Sequence, residues 1–221
     1  MSRHPLLSAL AVWAERPGGG LHRRRVLLAI TVGYLIFLAT YIPLNDWSIG
    51  RPAHTLCLPG EERLPFIPEF EFIYILVYPL PLLMVFRLPH ARRLLQAAVA
   101  FALILVAAYA TYIVFPVILI RPDFSSDTLA KWLLAWEYQD PAYNNFPSLH
   151  VALAWLVFFS CRTGRLRPLW LAGMAAAISI STIFVKQHYL ADIVYGALLA
   201  WGAWSWSRRL VRQALPAKET P

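Results

Sequence analysis

Residues Val26–Leu44 read VLLAITVGYLIFLATYIPL, nineteen positions without a charged side chain. As a helix this run rises ~1.5 Å per residue and matches the ~30 Å hydrocarbon layer of a bilayer. Lipid offers no water to backbone N–H and C=O groups, so a crossing segment must satisfy them internally. Working outward, five further apolar runs follow at about Phe66–Phe86, Leu94–Ile120, Leu149–Cys161, Leu169–Val185 and Tyr189–Ser207. The fourth is short unless the flanking AYNNFPS is partly sunk in the membrane. Composition agrees: 59% of the 221 residues are hydrophobic and only 14% charged, against about 25% charged in soluble domains. The expected fold is an all-α integral membrane protein, a six-transmembrane-helix bundle over residues 26–207. An N-terminal segment, 1–25, precedes it and a basic tail, 208–221, follows.

Formal net charge is +8, which raises nucleic acid as a partner until the charges are placed. With a cytoplasmic N-terminus and six spans, one side holds Arg3, Arg16, Arg23, Arg24, Arg25, Arg87, Arg92, Arg93, Arg162, Arg165, Arg167, Arg208, Arg209, Arg212 and Lys218. That is fifteen of the twenty Lys and Arg residues. Such a bias marks the cytoplasmic face, so both termini are expected there, beside anionic lipid. Of the acidic residues only Glu15 and Glu219 share that side. No nucleic acid is expected as a partner. The expected location is a bacterial inner membrane, with the site toward the periplasm.

RHPLLSALAVWAERPGGG has too short an apolar core for a signal peptide and reads as an amphipathic helix on the inner surface. Cys57 and Cys161 fall on opposite sides of the bilayer, beyond disulfide reach. The long outer connection 121–147 contains SSDTLAKWLLAWEYQD, where Leu129, Trp132, Leu133 and Trp136 recur at helical spacing. It reads as an interfacial helix capped by Ser126 or Asp127. Gly173, Ala177 and Ser181, and likewise Gly196 and Ala200, recur every four residues and predict close helix packing.

The chemistry lies in polar residues at the outer ends of spans. In KQHYLADIVYG, His188 and Asp192 are four apart, hence on one helical face. A carboxylate holding the Nδ1 hydrogen of a His leaves Nε2 free as nucleophile or base. In NNFPSLH, Pro147 opens a helix whose N–H groups near Ser148 suit an anion. Ser148 adds a hydroxyl and His150 a proton donor. Arg121 in LIRPDF can fork onto two phosphate oxygens. Lys186 is read either as a snorkelling cation or as part of the site. HExxH spacing and Cys clusters are missing, so neither a metal nor another cofactor is expected. Together these groups read as phosphoryl transfer, in which positioning and charge stabilisation carry most of the catalysis. The rival reading is a proton-coupled or lipid transporter, since intramembrane His and Asp also make proton relays. Transporters, however, usually hold their site near the midplane.

Three stretches resemble the type 2 phosphatidic acid phosphatase superfamily: FPVILIRP at Phe115–Pro122, PAYNNFPSLH at Pro141–His150 and STIFVKQHYLADIVYG at Ser181–Gly196. With LPFIPEFEFIYILVYPL at Leu64–Leu80, the chain resembles the branch of inositol phosphorylceramide synthases and sphingomyelin synthase-like enzymes. The resemblance implies metal-independent catalysis through a phosphohistidine on a lipid phosphate or phospholipid. By motif position His188 would be the nucleophile, Asp192 its orienting partner and His150 the general acid. Arg121 and Ser148 would bind phosphate. The adduct would pass to water or to an alcohol acceptor on a lipid or polyol. The broader superfamily carries a Lys seven residues before the Arg of its first motif, where Val114 stands here. It carries an Arg six residues before the nucleophilic His, where Thr182 stands here. Lys186 is a candidate replacement for one of them. Oligomeric state is left open by the sequence.

Overall fold

A computed structural model describes residues 20–88, 90–162 and 169–215. The amphipathic helix expected near the N-terminus, and the tail beyond Leu215, lie outside the described residues. The described residues form helices joined by irregular connections, without a strand.

Helix α1 spans Gly20–Ser48, so it begins six residues before the expected span and takes in part of the segment assigned to the N-terminus. Most of its apolar surface is exposed, Leu28 at 63%, as expected of a helix facing lipid. The second expected span is broken. It consists of 3-10 turns at Pro68–Phe70, Ile75–Val77 and Leu80–Leu82, interleaved with α2 (Glu71–Tyr74) and α3 (Leu83–Arg87). Pro68 only opens the segment, whereas Pro79 and Pro81 remove backbone donors and crowd the turns before them, which interrupts the α-helix.

Helix α4 spans Ala91–Val114. The expected third span ran on to Ile120, but the helix stops because Pro116 pushes Phe115 out of the helical region. Phe115 adopts φ −141°. The following residues are extended: His54 N–H donates to Pro116 O and Ile118 N–H to His54 O, both at 2.9 Å. Helix α5 (Leu129–Glu137) is the expected helix of the long connection. Its N-cap is Thr128, whose side chain accepts the Lys131 N–H, rather than Ser126 or Asp127. Asp127 instead meets Lys131 Nζ at 2.7 Å. Leu129, Trp132 and Trp136 are all exposed, while Ala130, Leu134 and Glu137 face inward.

Helix α6 (Leu149–Cys161) occupies the middle of the bundle, against α4, α7 (Leu169–Phe184), α8 (Leu190–Ala214) and the broken segment. Val151, Ala152 and Val157 are wholly buried there. Gly196 explains how α8 comes so close: an added Cβ would lie 2.7 Å from Ser148 O and 3.1 Å from Val151 Cβ. Gly173 plays no such part. It is exposed with nothing within 4 Å of an added Cβ, and α7 packs through Leu171, Ala175 and Ile178. Helix α8 also runs past the expected end at Ser207 and carries Arg208, Arg209 and Arg212 of the basic tail.

Among the described residues the bundle consists of α1, the broken segment, α4, α6, α7 and α8, tied together at two ends. At one end His22 Nε2 meets Leu88 O at 2.9 Å and Arg93 Nε donates to Ser160 O at 3.2 Å. At the other, Ser48 Oγ donates to Asn144 Oδ1 at 3.0 Å and Ile67 N–H to Phe184 O at 2.9 Å. Three of these segments are long and apolar enough to cross a membrane: His22–Ser48, Pro68–Arg87 and Ala91–Val114. Helices α6 and α7 are apolar but shorter. Cys57 is exposed and Cys161 buried, and both are free thiols.

Candidate active site

All six residues singled out in the sequence gather at one end of the bundle, the end held by the Ser48–Asn144 contact. Their local geometry differs from simple helical spacing. His188 precedes α8 rather than lying on its face. Its turn is set by Lys186, which takes φ +53°. Thr182 O then accepts both Gln187 N–H, at 2.9 Å, and His188 N–H, at 3.2 Å. Asp192 sits in the first turn of α8. Its Oδ2 accepts Tyr189 N–H at 2.9 Å, the return half of a capping box, and lies 3.3 Å from His188 Nδ1. Asp192 is wholly buried and its Oδ1 has no partner. The expected His–Asp contact therefore exists, but a helix cap builds it. His188 is 7% exposed and its Nε2 makes no hydrogen bond among the described residues.

A cleft of about 380 Å³ opens beside this pair, lined among others by His188, Arg121, Lys186, Tyr189, Leu64 and Phe66. Arg121 Nη1 donates to Asp140 O at 2.6 Å and Tyr138 O at 3.3 Å, and Nη2 donates to Gln187 Oε1 at 2.7 Å. Its guanidinium also lies 4.6 Å from the Tyr138 ring centre. Nε is left without a partner. By count, the Nε–H and one Nη2–H are not used by these bonds, and Nε itself is buried. Lys186 Nζ donates to Leu64 O at 2.7 Å at the same cleft.

Ser148 and His150 do not line that cleft. Ser148 is wholly buried, its Oγ caps α6 by accepting Val151 N–H at 3.2 Å, and its N–H donates to Asp192 O. Its hydroxyl thus holds the helix start rather than standing open to an anion. His150 is partly buried, with its ring centre 5.8 Å from that of His188. Behind it stand Tyr74, whose hydroxyl is 2.9 Å from Nε2, and Tyr78, at 3.4 Å. Of the two positions where the superfamily carries cations, Val114 is 78% exposed at the end of α4. The Thr182 hydroxyl is bonded back to Ser179 O.

Several groups were not singled out from the sequence. Gln187 ties Arg121 to the His188 turn. Glu61 accepts Leu190 N–H at 2.5 Å and Leu58 N–H at 2.9 Å, placing a carboxylate at the positive end of α8. Tyr78 donates to Glu137 Oε2 at 2.8 Å, and burial pushes the Glu137 carboxyl up against the opposing pull of that hydrogen bond. A signal for this last group was present: Glu71, Tyr74 and Tyr78 recur at steps of three and four within an oily run. Asp140 binds Tyr41 and Asn45 of α1, fixing the loop that leads to α6. Among the described residues, no three His, Cys, Asp or Glu side chains form a metal-binding group.

The PAP2 superfamily model matches residues 93–215, which include Arg121, Ser148, His150, His188 and Asp192. Neither the curated proteins nor the solved structures contain a match to this chain. The family match covers more than half of the chain and ends on the helix that carries Asp192; the chain belongs to the PAP2 superfamily.

Proposed function

We propose that this protein is a membrane-embedded, metal-independent lipid phosphatase or phosphotransferase working through a phosphohistidine. The observation that carries this is His188: its Nδ1 is held by a buried carboxylate while Nε2 stands free in a cleft shared with Arg121 and Lys186. PAP2 superfamily members are phosphatases or phosphotransferases. In this reading Nε2 attacks phosphorus, Arg121 steadies two of its oxygens and His150 gives a proton to the departing oxygen. Lys186 lends a second positive charge. The apolar walls at Leu64, Phe66, Leu119, Ile120 and Ile183 suit a lipid. The bundle sits in the membrane as six spans, with both termini cytoplasmic and the cleft at the outer leaflet, as the Lys and Arg distribution supports.

One observation favours the transferase form of this reading. With Val114 and Thr182 in place of two cations, the clamp holds fewer positive charges than the superfamily pattern. A phosphodiester carries one negative charge and a phosphomonoester nearly two at neutral pH. The lighter clamp fits a diester, as in the inositol phosphorylceramide synthase-like branch, with an alcohol on a lipid or polyol as acceptor.

The test offers the purified protein labelled lipid phosphomonoesters and phosphodiesters, with and without alcohol acceptors, and identifies the products. His188→Ala should abolish turnover. Full turnover by that variant removes the nucleophile from this scheme. Movement of intact lipid without any product would instead favour a transporter.

A further inference from the structure

The cleft accounts for His188 and Arg121 but not for the polar groups packed behind His150. An acid catalyst has to hold its proton until the leaving oxygen needs it. A partly buried imidazolium needs groups that accept its hydrogens and complement its charge. The groups on its far side are placed to do so.

That side is built from two phenols and two carboxyls. Tyr78 exposes 41% of its surface but turns its hydroxyl inward, donating to Glu137 Oε2 at 2.8 Å. The same hydroxyl lies 3.4 Å from His150 Nε2. Because the phenolic hydrogen is committed to the carboxylate, the oxygen lone pairs face the imidazole and can accept from Nε2–H. The Tyr74 hydroxyl lies closer, 2.9 Å from Nε2 and 3.3 Å from Nδ1, but has no carboxylate behind it in the hydrogen-bond pattern. Glu137 is 8% exposed and its other oxygen, Oε1, has no partner. Glu71 is wholly buried with both carboxyl oxygens unpartnered, within electrostatic reach of Glu137 but not bonded to either tyrosine. The groups that bear on His150 are thus Tyr74 and Tyr78 from the broken segment and His188 from the turn before α8. Glu137, Glu71, Asp192, Asp140 and Arg121 lie beyond them. Among the described residues, only Glu137 reaches the ring through a single intervening hydroxyl.

We infer that Glu137, acting through Tyr78, is a positioning residue that keeps His150 in its doubly protonated form. The inference rests on His150 being the acid of the proposed reaction. Nε2–H stays on the tyrosine oxygen. The Nδ1 proton passes to the leaving oxygen as the ester P–O bond breaks and the His188 Nε2–P bond forms. Water or the acceptor alcohol then attacks phosphorus, its proton returns to Nδ1, and the N–P bond breaks. Glu137 stays ionised throughout, so protons and charge balance over the cycle without a further reactant.

The experiment measures kcat/KM against pH for the full chain, for Glu137→Gln, for Tyr78→Phe and for the double variant. The substrate is whichever lipid ester the product assay identifies. Glu137→Gln keeps shape and removes the charge. Tyr78→Phe removes the link. Each should move the alkaline limb to lower pH by about one unit, an activity loss of about tenfold at a fixed pH above that limb that is recovered on acidification. Glu137→Asp should restore part of the shift, and the double variant should move no further than either single one. A uniform loss of activity with unmoved limbs overturns the inference, as does an additive double variant. Should Glu137→Gln fail to fold, the Tyr78→Phe profile alone decides. His150→Ala separates the two levels. If it is inactive while the Glu137 profile is unmoved, only this inference fails. If it is fully active, the acid assignment beneath it fails.

Discussion

Gly196→Ala tests whether the spacing of two helices sets the geometry of the site. The added Cβ would lie 2.7 Å from Ser148 O, a backbone atom of the residue that caps α6, and 3.1 Å from Val151 Cβ. Ordinary contact begins near 3.4 Å, so α6 and α8 must part by roughly 0.7 Å at this point. Overpacking of this kind costs about 1–3 kcal/mol. Against it stands the gain of about 1 kcal/mol from replacing glycine inside a helix. The net loss is then about 0–2 kcal/mol. Gly202→Ala, on the same helix with nothing within 4 Å of its added Cβ, supplies the reference. It should gain about 1 kcal/mol from propensity alone. The contrast between the two variants, about 1–3 kcal/mol, isolates the steric term. The catalytic effect should exceed what stability suggests, because His150 rides on α6 and His188–Asp192 on the turn and first residues of α8. A misplacement near 1 Å can cost ~10²-fold in rate, so a drop of about ten- to a hundredfold in kcat is expected. The assays are thermal unfolding of the detergent-purified protein and product release from the lipid ester. Equal stability of the two variants, with full activity in both, would refute the reasoning.

Two other substitutions probe the charged groups. Asp192→Asn can keep an oxygen between Tyr189 N–H and His188 Nδ1 but removes the negative charge that stabilises the imidazole as it attacks; kcat should fall by about 10²–10⁴ while the fold persists, read by turnover and by unfolding together. Arg121→Lys replaces a planar fork already committed to Asp140 O, Tyr138 O and Gln187 with a single ammonium. It should weaken inhibition by vanadate at least tenfold, about 1.4 kcal/mol or more, and lower stability by about 1–3 kcal/mol for orphaned buried acceptors. Unchanged vanadate inhibition would remove Arg121 from the oxyanion site.

Long apolar runs were legible because length and hydropathy together leave a helix as the only satisfied backbone. The ends of those runs were less so. Hydropathy does not distinguish an α-helical from an extended Val117–Ile120, whereas Pro116 does, and its effect overrode the continuing apolar pattern. The same holds in the second run, where Pro79 and Pro81 interrupt what composition reads as one span. Among site residues, His188 and Asp192 were legible as a pair, but their four-residue spacing suggested a helical face. The pairing comes instead from a carboxylate reaching back to cap its own helix, with Lys186 taking a left-handed turn that spacing cannot announce. Ser148 shows the opposite outcome. A Ser at a helix start can serve an anion or the helix, and here it serves the helix. Gln187 and Tyr78 were missed because both act by bonding across more than fifty positions of sequence, to Arg121 and Glu137 respectively.

The broken backbone and the proposed catalytic groups occur together for a physical reason. Where helices stop inside an apolar layer, carbonyls lose their i+4 partners and must find donors among side chains. At this end of the bundle those donors are the site residues. Arg121 takes Tyr138 O and Asp140 O, Lys186 takes Leu64 O, and Tyr138 OH takes Val185 O. The cations are thereby fixed in place before any substrate arrives, which is the preorganisation that electrostatic catalysis of phosphoryl transfer requires. The same economy limits the clamp. Each hydrogen bond given to a carbonyl is one fewer for phosphate, and Arg121 keeps only its Nε–H and one Nη2–H. In the proposed reaction, so few donors and one shared lysine match a singly charged diester better than a dianionic monoester. The backbone breaks that make the site possible therefore bear on what it selects.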